Sequence, residues 1–451
     1  MPLLVSVICI VLFACTANLV AQPTSPSAPA RSFDESQAPA NGIRKLTGKH
    51  LVLFTDVPSS PDVDRLPQVF DAAVPLWCAY FGVDPAKTQG WMARGYLIGD
   101  RRRFEALGLM PPGHDKFENG ISMGAEFWLH DQPTPYYRRH LLLHEGTHVF
   151  MVSFLGGCGP GWFMEGTAEL MATHRLDDQT GKLELRIMPR DRSEVPMLGR
   201  IKLINDAISA GHPMTLDAVM KLDNSQQLGN EAYAWCWAAA KLLDTHPRYR
   251  ERFRKLKTHV LDPAFNDLVR REFKTDWSDL NAEWEAFINT LDHNYDFERM
   301  AVDFKSHGLI NEKPGGSWVA DIAADRGWQS SGMQLEAGKS YKITAKGQYQ
   351  IATEQVDGTT RVWPCEPGGV TIEYYRGHPL GMLLGAIVPD GDTPPDAKLS
   401  FATPAAIGLE ATLKPATTGT LYLRVNDSAG RLADNRGTLT AVIQGVPNSE
   451  R

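Results

Sequence analysis

The feature that most constrains the fold is a change of hydrophobic period well past the middle of the chain. Up to about residue 305, and above all from Tyr136 onward, the longer apolar patterns recur at helical spacing. Beyond a stretch holding Gly308, Pro314, Gly315 and Gly316 they come in short alternating runs, such as Tyr341 to Ala345 and Leu421 to Val425, parted by Gly, Pro, Asn and Asp. A period near 3.6 hides one stripe of a helix, whereas a period of 2 hides one face of a strand. The two stretches therefore call for separate cores of different class, and 451 residues are too many for one ordinary core.

In the first stretch, His50 to Thr55 is a short apolar run like a buried strand. Pro58 and Pro61 follow in a loop, then comes a helix over Arg65 to Phe81, and Gly95 to Gly99 reads as a second strand. From Tyr136 onward the pattern is helical, with one hairpin around Leu183 to Met188 and further helices over Asn230 to Leu243, Pro247 to Val260 and Trp277 to Leu291. The expected class is α+β, with a small α/β N-terminal part and a mostly helical C-terminal part, followed by an all-β sandwich. The expected boundaries are a leader without structure over 22–48, a first domain over 49–305, a linker over 306–317 and a sandwich over 318–446.

Leu3 to Phe13 is an apolar run of signal-peptide length, too short to span a bilayer. It points to a secreted or periplasmic protein with a signal over 1–21. Cleavage after Ala21 is one reading, and lipidation at Cys15, after Leu12-Phe13-Ala14, is the other. No later stretch has the ~18 uninterrupted apolar residues of a transmembrane segment. A formal net charge of -7 excludes a nucleic-acid partner, which needs a basic surface. Cys78, Cys158, Cys236 and Cys365 match no CxxC metal pattern. They are either isolated buried thiols or include a bridge from Cys78 to Cys158 or Cys236.

The chemistry sits in Arg138-Arg-His-Leu-Leu-Leu-His-Glu-Gly-Thr-His-Val-Phe150, an HExxH string inside an apolar-periodic helix. His144 and His148, one turn apart, stack on one face and can offer two imidazoles to a single zinc ion. Glu145 lies beside them, where a carboxylate can take a proton from water and return it to a leaving amine. A hydrolytic zinc site needs a third protein ligand. Gly161-Trp-Phe-Met-Glu-Gly-Thr-Ala-Glu-Leu170, after a glycine and proline loop, offers Glu165 and Glu169 on a returning helix. His140, a turn before His144, reads as a packing or surface histidine.

This combination resembles the gluzincins of the peptidase MA-like group, in which HExxH is followed by a Trp-x-x-Glu-Gly-x-Ala-Glu segment. The resemblance implies a zinc metallopeptidase over roughly residues 49 to 300. By it, His144, His148 and Glu165 are the zinc ligands, Glu145 is the catalytic base, and Glu169 is an outer carboxylate that orients a ligand histidine. Tyr233, near the start of a later helix, is the candidate for oxyanion stabilisation. It is also readable as a core aromatic, and Arg190 and His212 are lesser candidates. The implied substrate is a protein or peptide.

Near the C-terminus, Val425-Asn-Asp-Ser-Ala-Gly-Arg-Leu-Ala-Asp-Asn-Arg-Gly-Thr438 gathers the oxygen ligands that calcium prefers. Residues from about Trp318 to Val446 resemble the calcium-dependent galactose-binding lectins of the PA-I type. That resemblance implies calcium held by Asp427, Asp434 and Asn435 through side chains and by Arg431 through its carbonyl, with a further carbonyl near Ile351. It also implies a galactose-like carbohydrate near His378, so that the substrate would be glycosylated. An acidic turn held by its own hydrogen bonds is the plainer reading. A second functional class stays open, a secreted carbohydrate-binding protein whose metalloprotease-like part is inactive.

Overall fold

The structure, a computed structural model, describes residues 33–114, 116–223, 229–304, 316–389 and 400–447. The expected signal, Cys15 and nearly all of the expected linker lie outside them.

Ordered structure begins earlier than Lys49, which corrects the expected leader. Two short 3-10 turns, Glu35–Gln37 and Pro39–Asn41, lead into β1 (Arg44–Thr47), which pairs antiparallel with β2 (Leu51–Thr55). The cause is tertiary. Ala38 and Ile43 are buried in a small core with Phe54, Tyr96, Phe104 and Trp128, and two such isolated residues carry no period to read.

After β2 come α1 (Pro61–Asp64), α2 (Leu66–Phe81), β3 (Ala93–Ile98), α3 (Arg101–Ala106), β4 (Gly120–Met123) and β5 (Glu126–His130). The strands form one sheet in the order β1-β2-β3-β5-β4. The three central strands are parallel, and both edge strands run antiparallel to their neighbours.

The helical part follows. It comprises α4 (Pro135–Leu155), α5 (Gly161–Ala172), α6 (Arg200–Ser209), α7 (Leu216–Val219), α8 (Asn230–Thr245), α9 (Arg250–Leu256), α10 (Phe265–Glu272), α11 (Trp277–Thr290) and α12 (Phe297–Met300). The hairpin expected around Leu183 to Met188 lies earlier: β7 (Leu183–Leu185) pairs back with β6 (His174–Leu176). Thr134 starts α4 by accepting a hydrogen bond from the Tyr137 amide, and Gly156 ends it in the left-handed conformation. Two glycines permit the helix packing. A Cβ on Gly146 would stand 2.7 Å from Phe70 of α2, and one on Gly166 would stand 2.5 Å from the Cys236 carbonyl of α8. Each directly follows a glutamate of the proposed site, so the motif residues also set how closely α2, α4, α5 and α8 approach.

The C-terminal part is β-rich. Its strands are β8 (Ser317–Ala323), β9 (Gln329–Leu335), β10 (Ser340–Lys346), β11 (Tyr349–Val356), β12 (Thr359–Cys365), β13 (Val370–Tyr375), β14 (His378–Leu380), β15 (Leu383–Pro389), β16 (Ala405–Ala406), β17 (Glu410–Leu413), β18 (Gly419–Val425) and β19 (Thr438–Val446). Two four-stranded antiparallel sheets, β17-β10-β19-β8 and β16-β15-β18-β9, share a core that includes Ile322, Ile343, Leu421, Leu423 and Ile443. The whole chain is thus mixed α/β with a β-rich C-terminal region. Cys78, Cys158, Cys236 and Cys365 are all free and buried, so the open question of a bridge resolves to isolated thiols.

The two parts meet over an apolar patch in which Ala286 of α11 and Val302 pack with Trp328, Leu384, Phe401 and Tyr422. They meet again where the 426–435 loop sits on the 292–296 segment. There Ala429 and Leu432 join the core of the helical part.

Candidate metal centre

The packing of α4 on α5 sets a ladder of three histidines against two glutamates. His140, His144 and His148 are spaced one turn apart on α4, and Glu165 and Glu169 one turn apart on α5; all five are at most 6% exposed. Three ligand atoms converge at one end. His144 Nε2 lies 3.1 Å from Glu165 Oε2 and 3.1 Å from His148 Nε2, and His148 Nε2 lies 3.4 Å from the same Glu165 oxygen. Donors bound to a tetrahedral zinc at about 2.0–2.1 Å stand about 3.3 Å from one another. The triangle has that size, and its members are two imidazoles and one carboxylate. The residues fit a zinc ion.

The electrostatics match this grouping. Burial works against a charge on His144, yet Glu165 and Glu169 outweigh it and raise its pKa to about 9. Burial would likewise raise Glu165, but His148 and His144 hold it down at about 2. Glu145 goes the other way: burial raises its pKa, outweighing the pull of His144 and His148.

Glu145 is placed by the sheet. Its carboxylate lies against the edge strand β4, so that a Cβ on Gly120 would come within 2.6 Å of Glu145 Oε1. Ser122 of the same strand favours its charged form. Tyr233, in the first turn of α8, is half-buried with its ring centroid 6.1 Å from that of His144. Burial, then Glu165 and Glu145, raises its hydroxyl far above the usual tyrosine range, so it stays a hydrogen-bond donor.

Glu169, with His140 and His144, makes a second buried group whose atoms lie close enough together to hold a metal ion. Glu169 Oε1 stands 3.2 Å from His144 Nδ1 and its Oε2 stands 3.4 Å from His140 Nε2, close approaches that are not yet aligned hydrogen bonds. His140 is fully buried with Nδ1 at 3.1 Å from the Ala172 carbonyl, so it packs inside the molecule and not at its surface. Arg190 and His212 are exposed. Arg190 answers to Glu194 through its amide.

Sequence reasoning missed Arg200, Gly120 and Ser122. Arg200 grips Glu169 through two hydrogen bonds, Nη2 to Oε1 at 2.7 Å and Nε to Oε2 at 2.8 Å. It is one basic residue in an ordinary amphipathic helix, and no local signal marks it. Gly120 and Ser122 sit in a run too short to read as a strand.

The acidic loop of the β-rich part is arranged differently. Asp427 is fully buried, and its two oxygens accept from the Ser428 amide at 2.7 Å and from Asn435 Nδ2 at 3.0 Å. Asp434 Oδ2 accepts from the Thr353 amide at 2.8 Å. The Arg431 side chain pairs with Glu373. The Ile351 residue is buried in the sheet core. These carboxylate oxygens are engaged by the protein's own donors, as in the plainer reading of an acidic turn, and only Asn435 Oδ1 is buried without a partner. The loop's outer side is covered as well. Ser428 donates to Asp292 at 3.2 Å, Asn294 donates to the Gly430 carbonyl at 2.7 Å, and the Asp296 amide donates to the Ala429 carbonyl at 3.1 Å. His378 is half-buried, and its carbonyl accepts from Asn426 Nδ2 at 3.1 Å, which ties β14 to this loop.

No family model and no curated protein matches the chain. Among solved structures, one described as "EclA N-terminal domain; PllA-like lectin" matches 29% of this chain and 96% of its own length, at 18% identity and a TM-score of 0.22. At that score the likeness carries no argument for fold or function. Among the described residues no helix is long and apolar enough to cross a membrane.

Proposed function

We propose that the chain is an exported zinc-dependent peptidase of zincin-like architecture, with His144, His148 and Glu165 as ligands. The observation that carries this reading is the triangle of His144 Nε2, His148 Nε2 and Glu165 Oε2, whose 3.1 to 3.4 Å edges suit one tetrahedral ion. A zinc ion there supplies a Lewis acid and lowers the pKa of water from 15.7 to about 7.

The chain's own groups supply the rest. Glu145, lying against Gly120 of β4, takes the proton from the attacking water and passes it to the departing amine. Tyr233 donates a hydrogen bond to the oxygen on which negative charge develops. Edge strand β4 pairs only with β5 among the described residues, and an extended peptide adding to its other edge as one more strand would lie beside Glu145. The β-rich part braces α11 and the 292–296 segment. A calcium or sugar role is left out of the proposal, because the oxygens of Asp427 and Asp434 Oδ2 already accept hydrogen bonds from the chain's own donors.

The test uses purified protein. Wild type should carry one zinc per chain and cleave peptides, and Glu145→Gln should keep the zinc and lose at least ~100-fold in kcat, the low end for a general base. A Glu145→Gln protein as active as wild type would overturn the mechanism. A wild-type protein that holds no zinc would favour the inactive, binding-only alternative.

A further inference from the structure

We infer that Arg200 is a positioning residue for the proposed zinc site, acting through Glu169 on His144; the inference rests on the zinc reading above.

The geometry of the Glu169 carboxylate carries it. Each of its oxygens has one arginine nitrogen on one side and one histidine nitrogen on the other. Oε1 lies between Arg200 Nη2 at 2.7 Å and His144 Nδ1 at 3.2 Å, and Oε2 lies between Arg200 Nε at 2.8 Å and His140 Nε2 at 3.4 Å. A guanidinium fork meets a carboxylate in one plane, so two parallel hydrogen bonds fix the carboxylate's rotation as well as its place. The rotation decides where Oε1 meets Nδ1 of His144. That contact sets the tilt of the ring, and the tilt aims Nε2, the atom at the corner of the ligand triangle.

Arg200 is itself held from a further element, α8. Its Nη1 donates to the Asn230 carbonyl at 3.3 Å, and its guanidinium carbon lies 5.7 Å from the Tyr233 ring centroid. One side chain from α6 thus reaches the outer carboxylate on α5 and the turn of α8 that carries the proposed oxyanion donor. Arg200 is 6% exposed and Glu169 2%. Such burial makes an ion pair intolerant of losing either partner, but a merely structural pair would have no bearing on the affinity for zinc.

The experiment is a double-mutant cycle read by zinc affinity, with a chromogenic chelator as competitor, on folded protein checked by circular dichroism. Arg200→Met should weaken zinc binding by about 10- to 100-fold, the usual span for an outer partner of a ligand histidine, and Arg200→Lys should recover part of it. Glu169→Gln should weaken zinc by a similar factor, and adding Arg200→Met to it should change the affinity little further. Wild-type zinc affinity in folded Arg200→Met, or losses that multiply in the double variant, would overturn the inference. If Arg200→Met does not fold, Arg200→Lys alone and combined with Glu169→Gln completes the same cycle. A wild-type protein without stoichiometric zinc would instead break the underlying reading, so the two failures are distinguishable.

Discussion

The ligand ladder between α4 and α5 and the acidic loop after β18 both suggest metal sites when read as strings of residues, yet their atoms are arranged in opposite ways. In the ladder, two imidazole nitrogens and a carboxylate oxygen face one another at 3.1 to 3.4 Å. In the loop, Asp427 is bonded to Ser428 and Asn435, Asp434 to Thr353, and the outer face is covered by the 292–296 segment. The two differ in how the donors are grouped. The ladder brings two imidazole nitrogens and one carboxylate oxygen within 3.4 Å of one another, whereas the loop's carboxylates accept from backbone and amide N–H groups around them.

The strongest way to break this contrast is to remove one ligand from each region. Glu165→Ala should lose zinc by more than the ~100-fold that an outer partner carries, and peptide cleavage with it. Asp427→Ala should leave zinc content and cleavage unchanged. Metal analysis of the two purified variants checks this, and equal zinc loss in both would erase the distinction.

A second test sharpens the role of β4. Gly120→Ala sets a methyl group 2.6 Å from Glu145 Oε1, too close for both to stay, and must displace the carboxylate. The expected loss is on the order of 100-fold in kcat with zinc retained, since misplacement by an ångström costs about that much. Steady-state kinetics beside metal analysis separate this from loss of the site.

On the other side of the contrast, Asn435 Nδ2 serves both Asp427 Oδ2 and the Ala324 carbonyl inside the fold. Asn435→Ala leaves two buried acceptors short of a donor and should cost about 1–3 kcal/mol of stability, read as a lower Tm. Calcium should change the Tm of the wild type little, because the loop's carboxylates already have partners. A large calcium-dependent rise would show that the loop reorganises around the ion.

The smallest expected effect lies at the joint between the two parts. Glu285 of α11 accepts a hydrogen bond from the Phe401 amide at 2.5 Å, is 8% exposed, and burial raises its pKa to about 7. A carboxyl raised above its unfolded value binds more protons in the folded chain. Its contribution is therefore fully present below the unfolded pKa near 4.5 and declines as pH climbs through about 7. Glu285→Gln, which keeps an acceptor and removes the charge, should raise stability at pH 8 by about 1–3 kcal/mol. It should also flatten the fall in Tm between pH 5 and 7, which calorimetry across that range would measure.

Much of this was readable from local order. The helix over Leu66–Phe81, α8, α11 and strands β10 and β18 all follow from periods of 3.6 and 2, because a buried stripe or face imposes its period on consecutive residues. The ladder was readable for the same reason. His144 and His148 one turn apart, and Glu165 and Glu169 one turn apart, share a face whatever else the chain does.

What only the tertiary structure decided depends on residues distant in sequence. Ile43 and Ala38 extend the fold before Lys49 through contacts with Phe54 and Trp128. Arg200 reaches Glu169 across 31 residues, and Gly120 matters because of a glutamate on another element. The acidic loop is closed by a segment lying 136 residues earlier, from Asn294 to Gly430. Spacing along a helix or strand is fixed by covalent geometry and so is written in the sequence. Which surfaces come to face each other is fixed by burial summed over the whole chain, and no short run of residues encodes it.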